Sequence, residues 1–403
     1  MTVSQFLQNI HQIPSENILL FDLDGTLFDT NQANNAAYRY AIWKVTNRNY
    51  AELDEKIRVT RKDVASLDGI DEDKLSQIVQ FKQSSFHYQL MQGNTATFIT
   101  AEILKRHHAY IPCYIITSAD STRVQMFVTR YNLRNYIQDI IYVDSDDKYK
   151  DVASKLGVDA SNILLFEDSG HAIDCAMSHG ILEKNIICVE NDTLRKHIIR
   201  RNDYLSHDVR AYFSRYYWGY SKPQNPDFIN ILKNQFGNNP PTELKDAYMQ
   251  LAKYLCRDIS CIHDIVGFEE LTVVAIPRAK AESMYQTNQQ LFRNCIQNVV
   301  PILRNKKNLS IVDGTQFIIR HTNTKTTHLS KNEIVENDGE MPYVGITKNT
   351  CTISDQVAGK DILLIDDIYT AGVNIDEDAI QALYDKGAKS VTFYSVCKTY
   401  KKK

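Results

Sequence analysis

The sequence predicts an α/β protein of two parallel-sheet domains, the first interrupted by a mainly helical insertion. Three observations carry this reading. Short apolar runs alternate with helix-like stretches through residues 1–205, an aromatic run over 206–225 breaks the alternation, and the alternation resumes over 226–403. Strands separated by helices favour parallel sheets, because a parallel pair needs a long crossover that a helix supplies. A chain of 403 residues has room for two domains or three. A composition of 43% hydrophobic and 24% charged residues excludes collagen-like and largely disordered chains.

In the first half the apolar runs place strands at Ile18 to Asp22, Cys113 to Thr117, Ile140 to Val143, Ile163 to Phe166 and Ile186 to Val189. Helices are expected over Thr122 to Tyr131 and His171 to His179. Residues 31–93 contain little that reads as strand and are too long for a simple connection, so they read as a helical insertion. Segment 206–225 holds Tyr212, Tyr216, Tyr217, Trp218 and Tyr220 ahead of Pro223, with Pro226 just beyond. It reads as a linker that packs on one or both domains. Beyond it, helical material is expected to about Asp258, then strands at Leu271 to Ile276, Ile311, Phe317 to Ile319, Ile362 to Ile365 and Val391 to Val396. Two Rossmann-like parallel sheets of unrelated sequence are the expected architecture.

Several classes of function drop out. The longest apolar runs, such as Ile163-Leu164-Leu165-Phe166, are strand-sized, so no membrane span is expected. The start, Met1-Thr2-Val3-Ser4-Gln5, lacks the basic and apolar regions of a secretory signal. The eight cysteines show neither a CxxC pair nor metal-ligand spacing and read as core thiols in a reducing cytoplasm. A net charge of −3, with neither half strongly basic, argues against nucleic acid as a partner.

The sharpest motif is Leu20-Phe21-Asp22-Leu23-Asp24-Gly25-Thr26-Leu27-Phe28-Asp29. An apolar strand ends in carboxylates at i and i+2, which share a face, at the strand edge where open α/β sheets bind ligands. Two such carboxylates suit Mg²⁺, or one can attack while the other handles a proton. The run resembles the first motif of the haloacid dehalogenase superfamily of phosphohydrolases. Ile115-Ile116-Thr117-Ser118 resembles its second motif, and Phe166-Glu167-Asp168-Ser169-Gly170 its acidic fourth. Lys148 or Lys150 would supply the third-motif lysine, though neither has the proline context common in that family. The resemblance covers about residues 17–190. It implies that Asp22 attacks phosphorus, that Asp24 exchanges the proton, and that Thr117 binds a phosphoryl oxygen. It further implies Mg²⁺ between Asp22, the Asp24 carbonyl and Asp168, with Glu167 close by, and a helical cap in the insertion at 31–93.

The second motif is Ile362-Leu363-Leu364-Ile365-Asp366-Asp367-Ile368-Tyr369-Thr370-Ala371-Gly372-Val373-Asn374. A strand ending in two acids, then a small-residue loop and a helix start, presents carboxylates to a diol and backbone N–H groups to an anion. It resembles the phosphoribosyl diphosphate motif of type I phosphoribosyltransferases, closest to the ComF-type branch, over about residues 265–400. The resemblance implies that Asp366 and Asp367 bind ribose hydroxyls and that Thr370, Ala371, Gly372, Val373 and Asn374 hold the 5′-phosphate. Arg278, Lys280 and Lys325 would neutralise the leaving diphosphate. Ala371 and Asn374 stand where that branch usually has Thr.

Together the motifs imply a bifunctional enzyme of nucleotide or nucleoside metabolism. One half would hydrolyse a phosphorylated small molecule, and the other would join phosphoribosyl diphosphate to a base. A phosphatase regulated by a non-catalytic phosphoribosyl-binding domain is one alternative, and a competence-type accessory protein that handles DNA is another. The sequence leaves room for a homodimer.

Overall fold

A computed structural model describes every residue except 55, 93–94, 144–146, 221, 224, 236, 325–344, 348 and 401–403. The chain divides into two compact units between His197 and Ile198. The first contains α1 (Val3–Asn9), β1 (Ile18–Asp22), β2 (Phe28–Asp29), α2 (Asn31–Thr46), α3 (Arg61–Ala65), α4 (Glu72–Gln92), β3 (Ala96–Phe98) and α5 (Ile99–His107). It continues with β4 (Cys113–Thr117), α6 (Ser121–Arg130), β5 (Asp139–Tyr142), α7 (Val152–Leu156), β6 (Ile163–Glu167), α8 (Gly170–Ser178) and β7 (Ile186–Cys188). The boundary falls inside β8 (Arg195–Ile199).

The first unit is built on a five-stranded sheet of order β5-β4-β1-β6-β7, parallel throughout. β1 is central and every residue of it is buried, which explains its continuous apolar run in place of alternation. Phe21 pairs with Phe166 in register, and their rings stack 4.4 Å apart. A separate antiparallel set pairs β2 with β3, and β3 with the start of β8.

The insertion is helical, as its lack of strand pattern predicts. α2 and α4 pack together around Tyr38, Ala41, Ile42, Leu53, Val64 and Ile78. Two buried amides of α2 hold the following loop: Asn34 donates to the Val59 carbonyl at 2.8 Å, and Asn35 accepts from Val59 N at 2.8 Å while donating to the Lys56 carbonyl. Buried side-chain amides persist only where such bonds replace water. They fix the stretch that carries Arg58.

The second unit contains β9 (Val209–Tyr217), α9 (Asp227–Lys233), α10 (Pro241–Val266), β10 (Leu271–Ala275), α11 (Leu291–Lys307) and β11 (Ile311–Asp313). It ends with β12 (Ile318–Arg320), β13 (Cys351–Ile353), β14 (Asp361–Tyr369), α12 (Ile375–Asp385) and β15 (Ser390–Thr399). β11, β10, β14, β15 and β9 lie side by side, again all parallel, and β12 pairs with β13 in an antiparallel hairpin. The aromatic segment expected as a linker over 206–225 contains a strand, β9, in which Ala211, Tyr212 and Phe213 pair with Phe393, Tyr394 and Ser395. Tyr and Phe suit a pleated, half-buried surface, so the run that looked like a packing pad satisfies β-propensity equally well. α10 also runs further than expected, to a left-handed Gly267 that ends it. Its buried Asp258 accepts from Ser214 Oγ and Tyr394 Oη at 2.5 and 2.6 Å. No helix among the described residues is long and apolar enough to cross a membrane.

Candidate active site

Three neighbouring parallel strands deliver the first site. Asp22, Thr117 and Glu167 are the last residues of β1, β4 and β6, and β1 lies between the other two. Parallel register therefore brings residues far apart in sequence to one sheet edge. Lys148 reaches this edge from the turn before α7. Its Nζ donates to Asp22 Oδ1 at 2.6 Å and to Glu167 Oε2 at 2.8 Å, and the hydroxyl of Tyr149 also donates to Glu167. Lys150, the other candidate for the family's lysine, is exposed. Thr117 is buried, and its Oγ1 accepts from Ala119 N, shaping the turn that leaves β4.

The carboxylates are crowded. Asp22, Glu167 and Asp168 each place an oxygen within 4.8 Å of the others. Burial, followed by the charge of Glu167, holds the Asp22 carboxyl well above its ordinary range. Asp168 is pushed up to about 7 by desolvation first and Glu167 second. Burial alone would discharge Lys148, but Asp22 and Glu167 outweigh it and keep the ammonium charged. Gly25 adopts φ +89°, and a Cβ there would lie 2.2 Å from Asp168 Oδ2, so the turn after Asp24 requires glycine for both backbone angle and clearance.

Asp24 stands apart from that acid cluster. Its Oδ2 accepts from Arg123 Nη2 of α6 at 2.8 Å, and its Oδ1 is buried without a partner among the described residues. Arg123 also lies over the ring of Phe86 from α4, with Lys82 over the same ring. Lys82 is pushed down to about 8 by burial first, then by the charges of Arg58 and Arg123. Arg58 itself donates to Asn31 Oδ1 at 3.0 Å. A cleft lined by Phe86, His87, Asp120, Thr122 and Arg123 opens here. Sequence reasoning missed these three cations, which lie on helices and loops where charge ordinarily signals a solvated face.

The haloacid dehalogenase-like hydrolase family model matches residues 19–183. Those residues form a haloacid dehalogenase-like hydrolase domain. Solved structures align with this chain at low identity. A family IA variant 3 hydrolase from Entamoeba histolytica is 23% identical with a TM-score of 0.35, over 41% of this chain and 81% of its own. A haloacid dehalogenase-like hydrolase from Streptococcus pneumoniae is 18% identical with a TM-score of 0.35, over 41% and 82%. A subfamily IA variant 1 hydrolase from Geobacter sulfurreducens is 16% identical with a TM-score of 0.33, over 41% and 85%. No curated protein matches the chain.

The residues of the hydrolase domain fit a hard divalent cation. Three carboxylates converge on one point, all of them oxygen donors, and their mutual repulsion is what a dication offsets. Lys148 occupies part of that role from one side only.

In the second unit, Asp366 and Asp367 lie in β14, and Thr370 to Asn374 form the loop into α12, with Gly372 at φ +88° and Asn374 at φ +67°. Burial first and Asp367 second push the Asp366 carboxyl up to about 7. Asp367 pairs with Lys233 Nζ at 3.2 Å, a lysine that no motif singled out. Thr370 Oγ1 bonds to Thr399 Oγ1 at 2.5 Å. The guanidinium of Arg278, implied at a diphosphate by the resemblance, donates to the carbonyls of Lys233 and Gln289 and to Gln235 Oε1. Lys280 follows in the same loop, where its backbone N–H donates to the hydroxyl of Tyr285. Lys325 lies outside the described residues.

Proposed function

We propose that the hydrolase domain cleaves phosphomonoesters through a phosphoenzyme on Asp22. The observation that carries this is the convergence of Asp22, Lys148 and Glu167 at one sheet edge, with Asp24 two residues from the nucleophile. An Asp22 carboxylate oxygen attacks phosphorus and the bond to the ester oxygen breaks. Asp24 gives its proton to the departing alcohol, then takes one from the water that releases phosphate. Arg123 orients Asp24 by holding one oxygen. Lys148 screens Asp22 against the incoming phosphate, and Thr117 lies at the end of the adjoining strand to bind a phosphoryl oxygen. Asp22, Asp168 and the Asp24 carbonyl, with Glu167 beside them, would hold Mg²⁺, which supplies charge screening and polarises the phosphoryl oxygens. The cluster of Arg58, Lys82 and Arg123 favours a substrate that carries a further anionic group.

For the second unit we infer a phosphoribosyl-binding site, with Asp366 and Asp367 for the ribose diol and Thr370 to Asn374 for the 5′-phosphate. Transfer to a base from phosphoribosyl diphosphate is the fuller form of this reading. The engagement of Arg278 by two carbonyls favours the narrower one, in which the unit binds such a compound and regulates hydrolysis. The scattered cysteines, with no CxxC pair among them, suit a reducing cytoplasm.

One experiment tests both halves: a screen of phosphorylated metabolites and bases, with and without phosphoribosyl diphosphate, reading phosphate and diphosphate separately. Mg²⁺-dependent phosphate release supports the first reading, and none from any phosphoester overturns it. Base-dependent diphosphate release supports transfer. A change in hydrolysis without diphosphate release supports regulation.

A further inference from the structure

Asp147, Cys175 and His179 form a second cluster of ligating side chains in the first unit. Their ligand atoms all lie within 4.8 Å of one another. Asp147 Oδ1 is 2.6 Å from His179 Nε2 and 3.4 Å from Cys175 Sγ. Cys175 lies in the last part of α8 and His179 caps the helix. A separation of four positions sets their side chains on one helix face, one turn apart, as a chelating pair requires. Asp147 comes from the turn that also carries Lys148, closed by Lys150 N donating to the Asp147 carbonyl. None of the three is buried, so an ion can reach them from solvent.

The donor set is chemically distinct from that of Asp22, Glu167 and Asp168. A thiolate, an imidazole and a carboxylate are one soft, one borderline and one hard ligand, a combination that suits Zn²⁺ and disfavours Mg²⁺ or Ca²⁺. Hydrogen bonding explains the Asp147–His179 contact by itself. The Cys175 thiol donates to the same carboxylate oxygen, so without an ion both contacts are hydrogen bonds, and the three ligand atoms already stand together where a metal could replace those protons. Three protein ligands leave a fourth tetrahedral position for water.

We propose that Asp147, Cys175 and His179 form a binding site for a thiophilic divalent transition ion, of which Zn²⁺ fits best. The bound ion would tie the turn bearing Lys148 to α8. The site was hidden in the sequence because Asp147 is 28 positions from Cys175.

The test uses the full chain, reduced, with Co²⁺ as the probe and Mg²⁺ in excess. One equivalent of Co²⁺ should give a thiolate-to-cobalt charge-transfer band and tetrahedral ligand-field bands, both removed by Zn²⁺. Cys175→Ser should abolish the charge-transfer band. His179→Gln and Asp147→Asn should each weaken Co²⁺ binding about tenfold or more. The variant carrying Asp22→Asn and Asp168→Asn should keep the band, because those acids carry no sulfur. That separates this site from the proposed Mg²⁺ site, so either can fail alone. A wild-type chain without the band, or a band that survives Cys175→Ser, overturns the proposal. Unchanged binding in a folded His179→Gln variant does so as well.

Discussion

Arg123 and Asp24 are 99 positions apart, yet Nη2 of one lies 2.8 Å from Oδ2 of the other. The ion pair pins one oxygen of Asp24 and leaves Oδ1 buried and unpartnered among the described residues; in the proposed mechanism Oδ1 is the oxygen that exchanges the proton. Replacing either carboxylate of the DxD pair should therefore act at a different step. Asp22→Asn should remove Mg²⁺-dependent hydrolysis and any acid-stable phosphoenzyme, while leaving the far-UV spectrum unchanged. Asp24→Asn should lower kcat about a hundredfold or more. That loss should shrink in the first step for a nitrophenyl ester, whose leaving group needs no proton. Equal losses for alkyl and nitrophenyl esters in single-turnover phosphate transfer would count against Asp24 as the acid.

Lys148 bonds two buried carboxylates at once. Lys148→Met should leave Asp22 and Glu167 facing each other and cost roughly 3–5 kcal/mol at pH 8. The Asp22 carboxyl is already held above its ordinary range by burial and the charge of Glu167, and losing the ammonium removes what opposes that rise. The folded form then binds more protons at Asp22 than the unfolded one, so stability is present at low pH and lost as pH rises. Chemical denaturation of metal-free protein at pH 5 and pH 8 should show the deficit growing with pH.

Lys82 offers a pH signature in substrate binding. Its folded value of about 8 lies below the ordinary 10.5, so the folded state prefers the neutral amine. Its charge is complete below about 8 and is lost above it, so KM for a doubly anionic phosphoester should rise as pH passes 8. The stability contribution has the opposite course and increases between about 8 and 10.5, where only the unfolded chain keeps the proton. Lys82→Met should flatten the KM profile between pH 7 and 9, and an unchanged profile would remove this lysine from substrate binding.

The second unit should need β9. A fragment 198–403 should be soluble and unfold cooperatively. A fragment 222–403 lacks the strand paired to Phe393 and Tyr394, which exposes the apolar edge of β15 to aggregation. Size-exclusion chromatography of both fragments checks this, and a monomeric, folded 222–403 fragment would show that β9 is dispensable.

Asp366→Asn combined with Asp367→Asn should weaken Mg²⁺-dependent binding of phosphoribosyl diphosphate. Each charged hydrogen bond removed is worth about 1–3 kcal/mol, or roughly ten- to a hundredfold in affinity. Titration calorimetry reads the binding, and a simple phosphoester assay on the same sample should be nearly unchanged. Intact binding would remove the ribose-diol assignment.

The sheet strands that matter most were legible because a buried parallel strand is a local pattern. Ile18 to Asp22 and Cys113 to Thr117 appear in the structure with the expected bounds, and each apolar run ends in the polar residue that its position at the sheet edge requires. The left-handed and small-residue turns after them, such as Gly25, are local as well. Tertiary structure alone decided what meets those ends. Lys148 and Lys150 are equivalent in sequence, and only the turn's placement beside β1 and β6 gives one of them two carboxylates. Arg58, Lys82 and Arg123 look like ordinary surface charge until the insertion folds over the cleft. The motif implies Arg278 at a diphosphate, and only the fold brings its Nη1 to the carbonyls of Lys233 and Gln289. Burial periodicity is set by neighbours within one turn or one strand, whereas side-chain partnership depends on closing loops of tens to hundreds of residues, and no local pattern records where they close.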